Sequence, residues 1–258
     1  MPALFDMHAR ALRRDRAART GVELFLYERA FADCLERIAL MGRRFERALL
    51  IGCPDPAWPE RLRSFATEVD VRDPGRRFAE AGAGTTLIED SWEPPHDAYD
   101  LALALGTLDS VNGLPVALRL IRHAMRLDGL FIGALSGGDT LPQLRRAMRA
   151  ADIVAGAAAP HVHPRVEASA LAPLLADSGF VRPVIDVDRV SVSYPSLDRL
   201  VSDLRQMGAT NVLAARPRFV GKAAHAAAIR VFAEAGDGLP TPEMFEILHF
   251  ATWTPGMG

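Results

Sequence analysis

Arg47-Ala48-Leu49-Leu50-Ile51-Gly52-Cys53-Pro54-Asp55-Pro56 is the stretch on which the fold turns. It reads as a short buried strand that runs into a tight turn at Gly52. In nucleotide-binding α/β proteins the first strand hands the chain to a cofactor at such a turn. A cofactor loop wants glycines, because the backbone must approach the ligand and adopt φ > 0. Here Pro54 and Pro56 stand where glycine would help. Proline fixes φ and removes an N–H donor. The frame is that of a cofactor fold, with the cofactor loop rewritten.

The alternation downstream fits that frame. Pro59–Ala66 suits a helix with proline in its first turn, and 68–71 a second strand closed by Arg72-Asp73-Pro74-Gly75. Residues 85–88 read as a third strand ending in Glu89-Asp90. Residues 99–105 read as a fourth, almost wholly apolar after Asp100, as a central parallel strand should be. A helix over 114–125 turns through Leu127-Asp128-Gly129 into a fifth strand, 130–135. Strand, helix, strand repeated in this way implies a parallel sheet with right-handed crossovers.

Upstream, Leu24, Phe31, Leu35 and Ile38 share one face of a helix over 24–41. Before it lies a locally basic segment with Arg10, Arg13, Arg14, Arg16 and Arg19. A run of this kind usually forms a solvated helix face, with a docking surface as the alternative. Past the fifth strand, Asp139 or Thr140 is a natural N-cap for a helix to about Ala151. A helix near 168–178 stops at Gly179. Residues 184–194 alternate apolar and polar, which suits a strand at a sheet edge. Helices over 196–207 and 222–235 flank a polar loop at 208–218, and 243–253 returns as a last, edge strand. The chain divides into an N-terminal helical segment (1–46), a core (47–195), a helical lid insertion (196–240) and a final strand with its tail (241–258).

Composition narrows the function. The 258 residues carry a net charge of −2 and 49% hydrophobic residues, so nothing global points to nucleic acid or an anionic membrane. The two cysteines, Cys34 and Cys53, form no disulfide framework and no metal spacing, which fits a reducing cytoplasm. No apolar run approaches the ~20 residues of a membrane span, and charged residues interrupt any signal-peptide core near the start. G-x-S-x-G, H-E-x-x-H, G-x-x-x-x-G-K-[ST] and C-x-x-C motifs are all absent from the sequence.

Ligands of open α/β sheets bind at the carboxyl ends of the strands. Four acids fall there: Asp73, Asp90, Asp109 and Asp139. A carboxylate after the second strand accepts ribose hydroxyls in such folds, whereas the plain reading of Asp73 is a turn residue ahead of Pro74. His161 and His163, between Pro160 and Pro164, suit substrate contact or acid/base work, or else hydrogen bonding to the backbone. No third ligand of suitable spacing accompanies them, so no metal is expected. Tyr194 before Pro195 ends a strand.

The assembled pieces resemble the class I methyltransferase fold. More narrowly they resemble the mitochondrial complex I assembly factors with their bacterial relatives, and more loosely the carrier-protein methyltransferases of biotin synthesis. The segments that carry the resemblance are Asp128-Gly129-Leu130-Phe131-Ile132-Gly133-Ala134, Gly137-Gly138-Asp139-Thr140-Leu141, Pro160-His161-Val162-His163-Pro164, Tyr194-Pro195-Ser196 and Met207-Gly208-Ala209-Thr210-Asn211. The resemblance implies a Rossmann-like, seven-stranded, mostly parallel sheet with an antiparallel last strand and a helical lid. It implies an ancestral S-adenosylmethionine (SAM) site at Gly52, Asp73 and Asp90, with Asp109 where that family has Leu-His-Trp after its fourth strand.

The departures gather on that site. The family's [ED]-x-G-C-G-x-G has Leu50 at the acidic place, and Pro54 and Pro56 at two glycine places. SAM binding is therefore expected to be weak or lost. Two functions follow from the resemblance. One is methyl transfer to a small molecule or a protein side chain, with Asp139, His161 and Tyr194 converging on an acceptor pocket. The other is a non-catalytic or hydroxylase-type assembly factor that grips a client protein of a respiratory complex.

Overall fold

The computed structural model describes residues 3–216 and 220–256. The expected loop end at Arg218 and the last two residues of the tail lie outside the described residues.

Seven strands form one sheet: β1 (Phe45–Ile51), β2 (Ala66–Asp73), β3 (Thr85–Thr86), β4 (Tyr99–Leu105), β5 (Met125–Ser136), β6 (Val181–Tyr194) and β7 (Thr241–Trp253). Their order is β3-β2-β1-β4-β5-β7-β6. The first five run parallel, and β7 is antiparallel to both β5 and β6. The last strand is therefore internal, and the expectation that it forms an edge is corrected. Nearly every residue from Phe245 to Thr252 is buried, as a strand flanked on both sides requires. The edge is β6, whose burial alternates along its length.

Period-two alternation separates two core layers. Ala48 and Leu50 of β1, with Leu101, Leu103 and Leu105 of β4, pack toward α2 (Phe25–Leu40) and α3 (Trp58–Leu62). Leu49, Ile51, Ala102 and Ala104 face α5 (Leu114–Ala124) and α7 (Ala168–Asp177). Phe31 of α2 stacks on Trp58 with ring centroids 4.2 Å apart. β4 is buried throughout, and its one charge is satisfied: the Asp100 carboxylate accepts Glu46 N at 2.8 Å and Arg47 N at 2.9 Å. Those N–H groups precede the first β1–β4 pair, so the carboxylate does the work of a missing ladder.

The expected helix over 59–66 stops at Leu62, and β2 already begins at Ala66. β3 is two residues long, paired only through Arg72↔Thr85 and Asp73↔Thr86. Beyond the sheet, α6 (Pro142–Ala155), α8 (Leu197–Gln206) and α9 (Lys222–Glu234) join Tyr194 and Phe245 in a separate apolar cluster. α6 is not capped by Asp139 or Thr140. Its N-cap position is Leu141, and Glu243 of β7 accepts Gln143 N and Leu144 N.

The remaining helices, α1 (Met7–Thr20) and α4 (Arg76–Ala81), lie together near the end of β2. Asp6 caps α1 by accepting Ala9 N at 2.9 Å. The segment before the helix is pinned to two loops: Phe5 exchanges two hydrogen bonds with the Asn112 side chain, and Asp6 N donates to Val212 O. Those contacts fix the face that α1 turns toward the strands.

Candidate functional site

The carboxyl ends of β1, β2 and β4 are where this fold carries its chemistry, and α1 is seated on them. Gly52 closes β1 with φ +86°, and a Cβ there would lie 2.1 Å from Leu105 O of β4. The turn thus requires glycine for conformation and for close strand packing. At the end of β2, Asp73 is fully buried. Its Oδ1 accepts Arg14 Nε at 2.7 Å and Gly75 N at 2.7 Å. Its Oδ2 accepts Arg14 Nη2 at 2.5 Å and Cys53 N at 2.8 Å. An ionised carboxylate offers about four lone-pair sites, and all are filled from within the chain. Gly75 allows the approach, since a Cβ there would stand 2.7 Å from Arg14 Cβ.

One helical turn earlier, Arg10 makes a second fork. Its Nη1 and Nη2 donate to Glu89 at 2.7 and 2.6 Å, and Nη2 also donates to Thr107 O at 2.6 Å. Arg10 and Arg14 are almost completely buried. The expectation of a solvated arginine face is corrected at these two residues. Their i, i+4 spacing places both on one side of α1, and two buried acids meet them there. Around Arg14, burial opposes the charge while Asp73 favours it, and the net effect raises the guanidinium pKa further. The guanidinium stays charged at every accessible pH.

The other site residues expected from sequence fall in three places. Asp90 sits in the turn after β3 and accepts Gly113 N at 2.8 Å; its neighbour Glu89 is the buried acid. Asp109 lies in a 3-10 turn (Leu108–Ser110) after β4, paired with Arg165. His161 Nε2 meets Asp152 of α6 at 2.7 Å. His163 is buried, accepts Val212 N through Nε2 at 2.9 Å, and meets the Phe5 ring edge-on. Burial and the nearby Arg165 guanidinium push its pKa down to about 4, so it is neutral at pH 7 with the proton on Nδ1. His163 is thus bonded to the backbone, whereas the partner of His161 is a side-chain carboxylate.

Asp139, His161 and Tyr194 do not converge. A cavity of about 880 Å³ beside the lid is lined by His161, Thr210 and Asn211, but neither Asp139 nor Tyr194 reaches it. Asp139 is exposed and faces Arg189 at 3.7 Å. Tyr194 is buried in the lid cluster, and its hydroxyl has no hydrogen-bond partner among the described residues. Burial, then the charge of Asp203, raises its pKa, so the phenol stays protonated. Two smaller spaces remain at the strand ends. One of about 90 Å³ lies over Leu105, Gly106 and Ser136. The other, of about 30 Å³, is bounded by Arg10, Arg14, Tyr27 and Gly106. Arg165 borders both as well as the large cavity.

Arg10, Arg14, Glu89 and Arg165 were not among the residues expected at the site. The available signal was the Arg10/Arg14 spacing beside Phe5-Asp6, a charged helix face following an apolar anchor.

No protein-family model matches the chain. Among characterised proteins it is similar to the mitochondrial arginine-hydroxylase NDUFAF5 of Danio rerio, 29% identical over 242 residues, covering 90% of this chain and 75% of that protein. It is also similar to the malonyl-[acyl-carrier protein] O-methyltransferase of Xylella fastidiosa, 34% identical over 152 residues, covering 57% of this chain and 49% of that enzyme. Among solved structures it resembles the YcgJ protein of a Bacillus, with a TM-score of 0.60 at 11% identity over 87% of this chain and 98% of that one. It likewise resembles the N-methyltransferase NodS of Bradyrhizobium japonicum, solved with S-adenosylhomocysteine, with a TM-score of 0.52 at 14% identity over 96% of this chain and 99% of that one. The chain has the class I SAM-methyltransferase fold.

Proposed function

We propose that this methyltransferase-fold chain works as a SAM-independent assembly factor that binds a client protein of a respiratory complex. The observation that carries this reading is the state of Asp73. In the fold, a carboxylate at the end of β2 takes the ribose hydroxyls. Here Arg14, Cys53 N and Gly75 N use its lone pairs. Leu50 supplies no acid for the amino-acid moiety, and Pro54 and Pro56 supply no N–H. The residues present do not fit SAM. Losing several charge-assisted hydrogen bonds, at about 1.5–3 kcal/mol each, weakens a ligand by orders of magnitude.

Similarity to the NDUFAF5 proteins over 90% or more of the chain, in several animals, supports the assembly-factor reading over the carrier-protein methyltransferases, which match little more than half. Those relatives are named for arginine hydroxylation, so their client chemistry is oxidation rather than methylation. Of the three residues expected at the acceptor pocket, His161 alone borders the lid cavity. Two free, buried cysteines suit a reducing compartment.

A second reading is methyl transfer after α1 has left the strand ends. It is favoured by one observation: α1 is joined to α2 through Gly21 at φ +106°, with no neighbour crowding it. A single experiment separates the two readings. The tagged protein is isolated from its own cells, and the eluate is incubated with tritiated SAM. The assembly-factor reading expects a respiratory-complex subunit in the eluate and no labelled product. A labelled protein whose appearance requires this chain would overturn it.

A further inference from the structure

The lid cavity has a charge pattern that neither the buried ion pairs of α1 nor the fold explains. Arg13 and Arg16 of α1, Arg205 of α8, and Arg165 and Arg216 all line it. Asp6 is the sole carboxylate of the lining among the described residues, and it is engaged by Arg216 at 3.0 Å. Arg165 is engaged by Asp109. Among the described residues, no carboxylate lies within ion-pair distance of Arg13, Arg16 or Arg205. Burial, then repulsion from Arg216, Arg16 and Arg205, lowers the pKa of Arg13. Uncompensated like charges on a concave wall raise the local potential and concentrate anions.

A second observation points the same way. The Arg165 side chain is only 7% exposed, yet its Nε has no hydrogen-bond partner among the described residues. A buried guanidinium donor left unmatched costs about 1–3 kcal/mol, and an acceptor in the cavity would satisfy it. Thr210 Oγ1, from the same lining, is likewise buried and unmatched. His161, His163 and Asn211 add polar groups to the wall, and Leu144, Met148, Val201 and Leu204 form its apolar part. A volume of about 880 Å³ falls in the range of small-molecule pockets, about 300–1,000 Å³.

We propose that this cavity binds a small amphipathic anion, a carboxylate or phosphate monoester bearing an apolar chain. The anionic head sits among Arg13, Arg16, Arg205 and Arg165, and the chain lies against Leu144, Met148 and Val201. The site goes beyond the assembly-factor reading and does not depend on it, since neither SAM nor a client takes part in its test.

The probe is octyl phosphate, titrated calorimetrically into the full-length protein at low salt, with inorganic phosphate and octanol as comparisons. Octyl phosphate is expected to bind at least tenfold more tightly than inorganic phosphate, with octanol silent, and binding should weaken as salt rises. Arg16 and Arg205 are both exposed, so the double variant Arg16→Gln/Arg205→Gln should keep its urea midpoint. It should lose octyl phosphate affinity at least tenfold. Equal binding of octanol, or an unchanged affinity in the double variant with an unchanged midpoint, would overturn the proposal. So would binding of an octaglutamate peptide with no response to octyl phosphate, which would assign the arginines to an acidic protein segment instead.

Discussion

Replacing Arg14 with alanine strips a buried carboxylate of its cation. Asp73 is fully buried and would keep only Cys53 N and Gly75 N as donors. Breaking a buried ion pair from one side costs about 3–5 kcal/mol, and the two remaining N–H groups place Arg14→Ala near the lower end. Losing the Arg14 guanidinium from the Phe78 ring, 5.1 Å from its centroid, adds a smaller amount. For a chain of this size about 3 kcal/mol corresponds to a melting temperature lower by about 6–12 °C. Asp73→Ala should cost a similar amount, because it leaves a buried guanidinium. The double variant should cost less than the sum by about 2 kcal/mol or more. Urea unfolding followed by tryptophan fluorescence, with Trp58 fully buried as a reporter, measures all three. A loss below about 1 kcal/mol for Arg14→Ala, the range of an exposed pair, would refute the reasoning. Additivity in the double variant would refute it equally.

Three further outcomes follow from the same geometry. Gly52→Ala should destabilise by about 2–4 kcal/mol, because it combines a positive φ with a Cβ 2.1 Å from Leu105 O; unchanged urea stability would mean the strand ends are not packed as described. His163 titrates at about 4 in the folded chain against about 6.5 unfolded, so protonation favours the unfolded state. Its contribution is intact above pH 6.5 and should fall by up to about 3 kcal/mol as pH drops toward 4; an equal acid loss in His163→Gln would assign the effect elsewhere. Tyr194→Phe removes a buried hydroxyl with no hydrogen-bond partner among the described residues, so stability should change by less than about 1 kcal/mol and the variant should still complement cells that lack this protein. Loss of complementation at an unchanged melting temperature would return Tyr194 to a catalytic part.

What could be read from the sequence was what depends on neighbours. β4 was legible over its whole length, because a strand buried on both faces is an unbroken apolar run. The Gly52 turn was legible because glycine followed by Cys53-Pro54 can hardly continue a strand. β7 was misplaced to an edge because Glu246 and His249 interrupt its run from Phe245 to Ala251, which so lacks the unbroken apolar signature of β4. The interior of the site was illegible for a different reason. Arginines on a helix read as solvated until their acids are known, and Asp73 and Glu89 lie 59 and 79 residues away from Arg14 and Arg10. The α6 cap was hidden likewise, since Glu243 comes from about a hundred residues further on. Asp139 looked like the cap because it was the nearest acid.

The central claim is that α1 holds the SAM site closed through Asp73. It is tested most directly by titrating S-adenosylhomocysteine and SAM into the purified full-length protein by calorimetry. The account expects no saturable heat up to about 1 mM ligand. A one-site isotherm with a micromolar dissociation constant, abolished in Asp73→Asn, would show that Asp73 is free to take the ribose and would contradict the account.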